Sequence, residues 1–308
     1  MIVDILFVVA GLALLVFGGD MLVKGAVNLS LRLGITPLVV GLTVVAFGTS
    51  APEMVVSLSA AWRGATDLAL GNVVGSNIAN VLVILGAAAI FSPIVTRGHD
   101  LRESWAMMMA ASALLIGLAF FGSLGRIDGM VLLAALALII WRQLSTARPE
   151  DADRIEGAAL GARWLQILTW LALGLVLLPV GADLLVRGAT DIARAFGVTE
   201  VVIGLTLVAI GTSLPELAAS VAAALRGRSD IALGNVVGSN IFNILSILGV
   251  TALVAPLPIP PELMRFDLWV MLASSALLAP FLFRALPIGR VTGALLLLAY
   301  AAYVWVLL

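Results

Sequence analysis

The sequence predicts an all-α polytopic membrane protein of ten transmembrane helices, arranged as two inverted five-helix repeats with both termini outside. Three observations carry this expectation. Apolar runs of spanning length recur from end to end, one long segment is duplicated, and lysine and arginine crowd onto alternate connections.

Of the 308 residues, 62% are hydrophobic and 11% charged, against roughly 25% charged in an ordinary soluble domain. A run of about 20 apolar residues crosses ~30 Å of hydrocarbon as a helix. Ten such runs lie near 3–23, 36–61, 69–91, 104–121, 127–143, 164–186, 199–225, 232–254, 266–283 and 290–307. Backbone facing lipid must satisfy its own hydrogen bonds, so these runs are helices. The alternation of a barrel strand is absent. The first run has no basic leader and continues into Gly18-Gly19-Asp20 and Lys24, which reads as a spanning helix and not as a cleaved segment.

The duplication joins the runs into halves. Residues 41–86 and 204–249 align without a gap at an offset of 163 and agree at 31 of 46 positions. The same offset carries Asp20 and Lys24 onto Asp183 and Arg187. The expected organisation is a first five-helix repeat over 1–143, a cytoplasmic linker over 144–163 and a second repeat over 164–308. Five is odd, so the second half enters the membrane from the opposite side, a common plan for secondary transporters. Assigning alternate connections to two sides puts twelve of the 17 basic residues on one and five on the other. The richer side is cytoplasmic by the positive-inside rule, which leaves both ends outside a multi-pass protein of the cell (inner) membrane.

Composition also excludes functions. A net charge of −1 leaves no basic footprint for nucleic acid. Without cysteine there is no disulfide, thiolate metal site or thiol nucleophile. The single histidine, His99, sits between Arg97, Asp100 and Arg102 and reads as an interfacial residue.

Two motifs concentrate the chemistry. Gly48-Thr49-Ser50-Ala51-Pro52-Glu53 lies in span two, and Gly211-Thr212-Ser213-Leu214-Pro215-Glu216 lies in span seven. A carboxylate at a membrane helix centre costs about 2.5–3.5 kcal/mol on insertion scales, so two of them need a purpose. Ala46, Thr49, Ser50 and Glu53 share a helix face at i, i+3, i+4 and i+7, as do Ala209, Thr212, Ser213 and Glu216. Pro52 and Pro215 have no N–H, which frees the carbonyls of Gly48 and Gly211. The following spans offer Asn72, Ser76 and Asn80, repeated as Asn235, Ser239 and Asn243. Asn72, Asn77, Asn235 and Asn240 stay open between ligand and helix-end roles. Carboxylates, hydroxyls, amide oxygens and carbonyls, without sulfur or imidazole, suit a hard cation such as Ca²⁺. Outside the motifs, Asp20–Lys24 and Asp183–Arg187 read as i,i+4 ion pairs. Asp67 and Asp230 read as solvated residues in short connections.

With these motifs the chain resembles the cation/calcium exchanger superfamily, in its prokaryotic sodium/calcium antiporter branch, over nearly its whole length. Two G-T-S-x-P-E hexapeptides in an inverted frame, each followed by G-N-x-x-G-S-N, carry the resemblance. It implies four cation sites around the two glutamates. Their ligands would be Glu53, Thr49, Ser50 and the Ala46 carbonyl, with Ser76 and Asn80 from span three. Span seven would supply Glu216, Thr212, Ser213 and the Ala209 carbonyl, and span eight Ser239 and Asn243. It also implies alternating access, with spans one and six sliding across a more rigid core. Some relatives carry Asp in place of Asn243, and its absence argues against potassium co-transport.

The expected function is exchange of Ca²⁺ against Na⁺, with Ca²⁺/H⁺ exchange as the alternative on the same fold. The expected partners are those ions and the bilayer, with a monomer as functional unit and no cofactor. A hydrolase using Ser50 or Ser213 lacks a general base. A channel gathers ligands by oligomerisation, whereas one chain here carries a duplicated set.

Overall fold

A computed structural model of the chain describes residues 2–96, 101–146, 162–197 and 211–307. His99, Arg97, Ala209 and the first part of span seven lie outside these residues.

The helix α1, Ile2–Leu33, ends on Gly34 at φ +66°, a left-handed position that suits glycine. Thr36 then caps α2, Pro37–Thr49, by accepting from the Val39 N–H, with Pro37 in the first turn. Helix α2 contains a π-helical turn at Gly41–Val45, and a 45° bend separates it from α3, Ala51–Trp62. Then come α4 (Thr66–Phe91), α5 (Arg102–Ala119), α6 (Arg126–Thr146) and α7 (Trp164–Ala195). The last four are α8 (Leu214–Leu225), α9 (Ser229–Val254), α10 (Leu263–Phe283) and α11 (Arg290–Leu307). Among the described residues, seven helices are long and apolar enough to cross a membrane, or eight if α2 and α3 form one bent span.

Helices α4 and α9 form the centre, where Ser229–Phe242 is buried on every side. Each is interrupted by a π-helical turn at a matched place, Asn80–Ile84 in α4 and Asn243–Ile247 in α9. Such turns widen a helix locally and recur at functional sites. The halves are interlocked. Helix α6 packs on α9, and α11 packs on α4. A Cβ on Gly129 would lie 2.7 Å from the Gly249 carbonyl, and one on Gly293 would lie 2.5 Å from the Gly86 carbonyl. Two short pairings repeat the exchange: β1 (Ser123–Leu124) runs antiparallel to β2 (Leu257–Pro258), and Ile94 bridges Ile288.

Helices α1 and α7, each 32 residues, lie antiparallel. Glycines every seven residues on both, Gly11, Gly18 and Gly25 against Gly174, Gly181 and Gly188, bring the backbones together. A Cβ on Gly11 would lie 2.7 Å from the Gly181 carbonyl, and one on Gly188 would lie 2.5 Å from the Asp4 carbonyl.

This packing corrects the expected ends of spans one and six. Both helices run about ten residues past those ends, to Leu33 and Ala195, and in α1 the added Gly25–Ser30 segment is buried against its neighbours. One of the two expected charge pairings also changes. Asp20 pairs with Arg226 of the α8–α9 connection, while Lys24 lies 4.2 Å from the Trp170 ring. Asp183 and Arg187 pair as expected, at 2.8 Å. Asp67 is exposed, but Asp230 is buried and bonded to Arg228. Buried Arg228 sits two residues before it and satisfies its charge.

Candidate cation site

The two glutamates sit at matched places, each in the first turn of a helix with proline before it: Glu53 in α3, Glu216 in α8. The bend at Ser50 therefore divides what the spacing alone places on one continuous helix face. Both side chains are 1% exposed. Among the described residues no basic side chain pairs with either. Their hydrogen bonds are neutral and cross between halves. Ser50 Oγ donates to Glu216 Oε1 at 3.0 Å, and Ser213 Oγ donates to Glu53 Oε1 at 3.3 Å. Since Ser50 precedes Glu53 by one turn, this exchange brings the two carboxylates to one place.

The next helices buttress them. Asn72 Nδ2 donates to the Glu53 carbonyl at 3.3 Å and to Ser57 Oγ at 2.9 Å. Asn235 Nδ2 does the same for the Glu216 carbonyl at 3.3 Å and Ser220 Oγ at 3.0 Å. Through its amide nitrogen each asparagine holds a glutamate-bearing helix. Thr49 breaks the match. Its hydroxyl lies 3.1 Å from Asn235 Oδ1 and 3.3 Å from the Ala46 carbonyl, so its one proton serves one acceptor at a time.

One turn deeper, α4 and α9 are joined by their asparagines. Asn77 Nδ2 donates to the Asn240 carbonyl and Asn240 Nδ2 to the Asn77 carbonyl, both at 3.3 Å. Asn80 Nδ2 donates to Asn240 Oδ1 at 2.9 Å, and Asn243 Nδ2 donates to Asn77 Oδ1 at 3.0 Å. With the amide nitrogens spent across the halves, Asn80 Oδ1 and Asn243 Oδ1 are left without a partner, as are Glu53 Oε2, Glu216 Oε2 and Ser239 Oγ. Buried acceptors are rarely left so. Four of these five atoms can only accept.

Of the sequence-derived residues, Thr49, Ser50, Glu53, Ser76, Asn80, Ser213, Glu216, Ser239 and Asn243 are buried. Thr212 is half-buried, and the Ala209 carbonyl lies outside the described residues. The Ala46 carbonyl accepts the Ser50 N–H at 3.0 Å in addition to facing Thr49. Ser57 and Ser220 were not singled out from sequence. Each stands four residues after its glutamate at the repeat offset, a signal that could have found them. Asn77 and Asn240 act as a lock between halves, which repeat spacing alone does not reveal.

This arrangement can do one thing well. Two buried, unpaired carboxylates carry a cost that a cation removes, and further neutral oxygens complete the shell of a hard ion.

The sodium/calcium exchanger protein family model matches residues 3–145 and 166–308. The chain is 41% identical to the putative antiporter CaxA of Alkalimonas amylolytica, over 100% of this chain and 99% of that one. It is 35% identical to the sodium/calcium exchanger MaX1 of Methanosarcina acetivorans, over 99% and 98%. Among solved structures, the sodium-calcium exchanger NCX_Mj superposes with a TM-score of 0.86 at 34% identity, covering 99% of this chain and 98% of that one.

Proposed function

This chain belongs to the sodium/calcium exchanger protein family, and on that premise we propose that it is a secondary active antiporter moving Ca²⁺ against Na⁺ by alternating access. The observation that carries the reading is the group of buried acceptors without donors: Glu53 Oε2, Glu216 Oε2, Asn80 Oδ1 and Asn243 Oδ1. A cation is the ligand that satisfies acceptors alone.

Glu53 and Glu216 supply the charge in this reading. Thr49, Ser50, Thr212, Ser213, Ser76 and Ser239 supply hydroxyl oxygens, Asn80 and Asn243 amide oxygens, and Ala46 and Ala209 carbonyls. One Ca²⁺ neutralises two ionised carboxylates. Two Na⁺ do so as well, and a third makes the site net positive, so 3:1 exchange is electrogenic. Sodium needs several neutral oxygens beside each carboxylate, which this site has in excess, whereas a proton needs only the carboxylate. The match to sodium/calcium exchangers along the whole chain supports sodium over protons.

Ten spans, both termini outside and a cytoplasmic 144–163 linker complete the reading, supported by the basic-residue asymmetry. One chain supplies the duplicated ligand set, so the functional unit is a monomer.

The test is calcium uptake into vesicles preloaded with Na⁺ at equal pH on both sides, against sodium-free vesicles carrying a proton gradient. Uptake should require internal Na⁺ and respond to membrane potential. Uptake that follows the proton gradient and ignores sodium would replace this reading with Ca²⁺/H⁺ exchange.

A further inference from the structure

Four charged positions outside the carboxylate site break the symmetry of the repeat. Asp20 of α1 pairs with Arg226 at the C-terminus of α8. Moving both by the repeat offset gives Asp183 of α7 and Arg63 at the C-terminus of α3. That pair is not made. Asp183 bonds instead to Arg187 on its own helix, and Arg63 is exposed, with no ion pair among the described residues.

The packing differs in the same sense. Helix α1 lies so close to α8 that a Cβ on Gly19 would stand 2.9 Å from the Ala218 carbonyl. The cleft over α8 is walled by α1 through Leu12, Val16 and Asp20. The matching cleft over α3 is lined by α3 alone, from Val55 to Arg63, and α7 has no comparable packing there.

We propose that Asp20–Arg226 and Asp183–Arg63 are alternating latches. Each would join one of the long antiparallel helices to a glutamate-bearing helix, one opening as the other closes. Exchanging the roles of the two repeats converts the observed arrangement into its opposite: Asp183 closes on Arg63, and Asp20 turns back to Lys24 as Asp183 now does to Arg187. The glycine contacts hold α1 and α7 at backbone distance, so drawing α7 onto α3 pulls α1 off α8. An exposed ion pair is weak, which suits a contact made and broken in every cycle. In the orientation set by the basic residues, Asp20–Arg226 closes the cytoplasmic side and Asp183–Arg63 the outer side.

The proposal rests on the antiport reading, and its test is read separately from transport. The chain has no cysteine, so the double variants Asp20→Cys with Arg226→Cys and Asp183→Cys with Arg63→Cys carry only the designed thiols. A short, reducible bis-thiosulfonate spans side chains that a direct disulfide would not reach. Free thiols are then counted by a maleimide mass tag on protein in liposomes containing Na⁺ or Ca²⁺. Both pairs should cross-link, each with loss of calcium flux that reductant restores. If the Asp183/Arg63 thiols stay free in both ions while the Asp20/Arg226 thiols bridge, the proposal is overturned. Both bridges in a protein that moves no calcium would sink the antiport reading and spare the latches. A charge exchange guards against misfolding: Asp20→Arg should lower flux, and adding Arg226→Asp should recover it. Equal loss in the single and double variants would also overturn the proposal.

Discussion

Asn72 and Asn235 hold their glutamate-bearing helices with the same two bonds, at distances equal to within 0.1 Å, whereas Asp20 and Asp183 hold different partners. The first pair belongs to the central helices and the second to α1 and α7. Symmetry survives where each asparagine braces the glutamate-bearing helix of its own half through the same two acceptors. It is lost where exposed charges have more than one partner within reach. On the proposed reading this is a division of labour: a matched centre fits one ion site to two sides, and an unmatched edge decides which side is open.

The sharpest way to break the comparison is at the carboxylates. Glu53→Gln and Glu216→Gln each remove one charge while nearly keeping shape. Each should abolish or severely impair calcium exchange in proteoliposomes without preventing insertion. A matched centre requires both to fail. If either variant transports Ca²⁺ at the wild-type rate over a range of concentrations, that carboxylate is not a ligand and the centre is not functionally symmetric.

The lock between halves offers a stability measurement. Asn77→Ala and Asn240→Ala each remove a donor to the opposite backbone and strip the acceptor from Asn243 or Asn80 Nδ2. Leaving a buried group unsatisfied costs about 1–3 kcal/mol. Thermal unfolding in detergent should show similar losses for the two variants. A loss confined to one of them would mean that one half bears the structure alone.

Smaller effects probe the hydroxyls. Thr49→Ala and Ser213→Ala each delete one neutral oxygen and should weaken calcium affinity less than either glutamine variant stops transport. Thr49 also faces Asn235 Oδ1, so its loss should be the larger of the two. Equal effects would show that this contact carries no weight.

The least perturbing experiment maps sidedness and should leave transport unchanged. A cysteine at Ala152 should be protected from an impermeant reagent outside intact cells, and one near Leu308 should be labelled. The reverse pattern would invert the orientation and exchange the sides assigned to the two latches.

Much of the site was legible because the repeat prints it twice. An isolated glutamate in an apolar run is ambiguous, but two at one offset, each behind threonine, serine and proline, leave little room for a structural role. Other parts were hidden for identifiable reasons. Lys24 reads from sequence as the i,i+4 partner of Asp20, because spacing along one helix is all that the local residues show. Nothing local says that Trp170 will receive it. Asn77 and Asn240 stay open in the sequence between ligand and helix-end roles, since the partner of each lies 163 positions away in the other half. Asp230 looked solvated because sequence shows charge and not burial.

The sequence by itself determined the helical class, the duplication, the polar set at the centre and the helical hydrogen bonds lost at Pro52 and Pro215. Each of these follows from local chemistry: apolar run length, backbone hydrogen bonding in lipid and proline's missing N–H. Only the tertiary structure decided that Ser50 serves Glu216 and Ser213 serves Glu53, that Asn77, Asn80, Asn240 and Asn243 spend their nitrogens across the halves, and that Asp20 pairs with Arg226 while Asp183 pairs with Arg187. Those outcomes depend on which of several chemically equal partners comes within about 3 Å, and that distance is set by how helices far apart in the chain pack together.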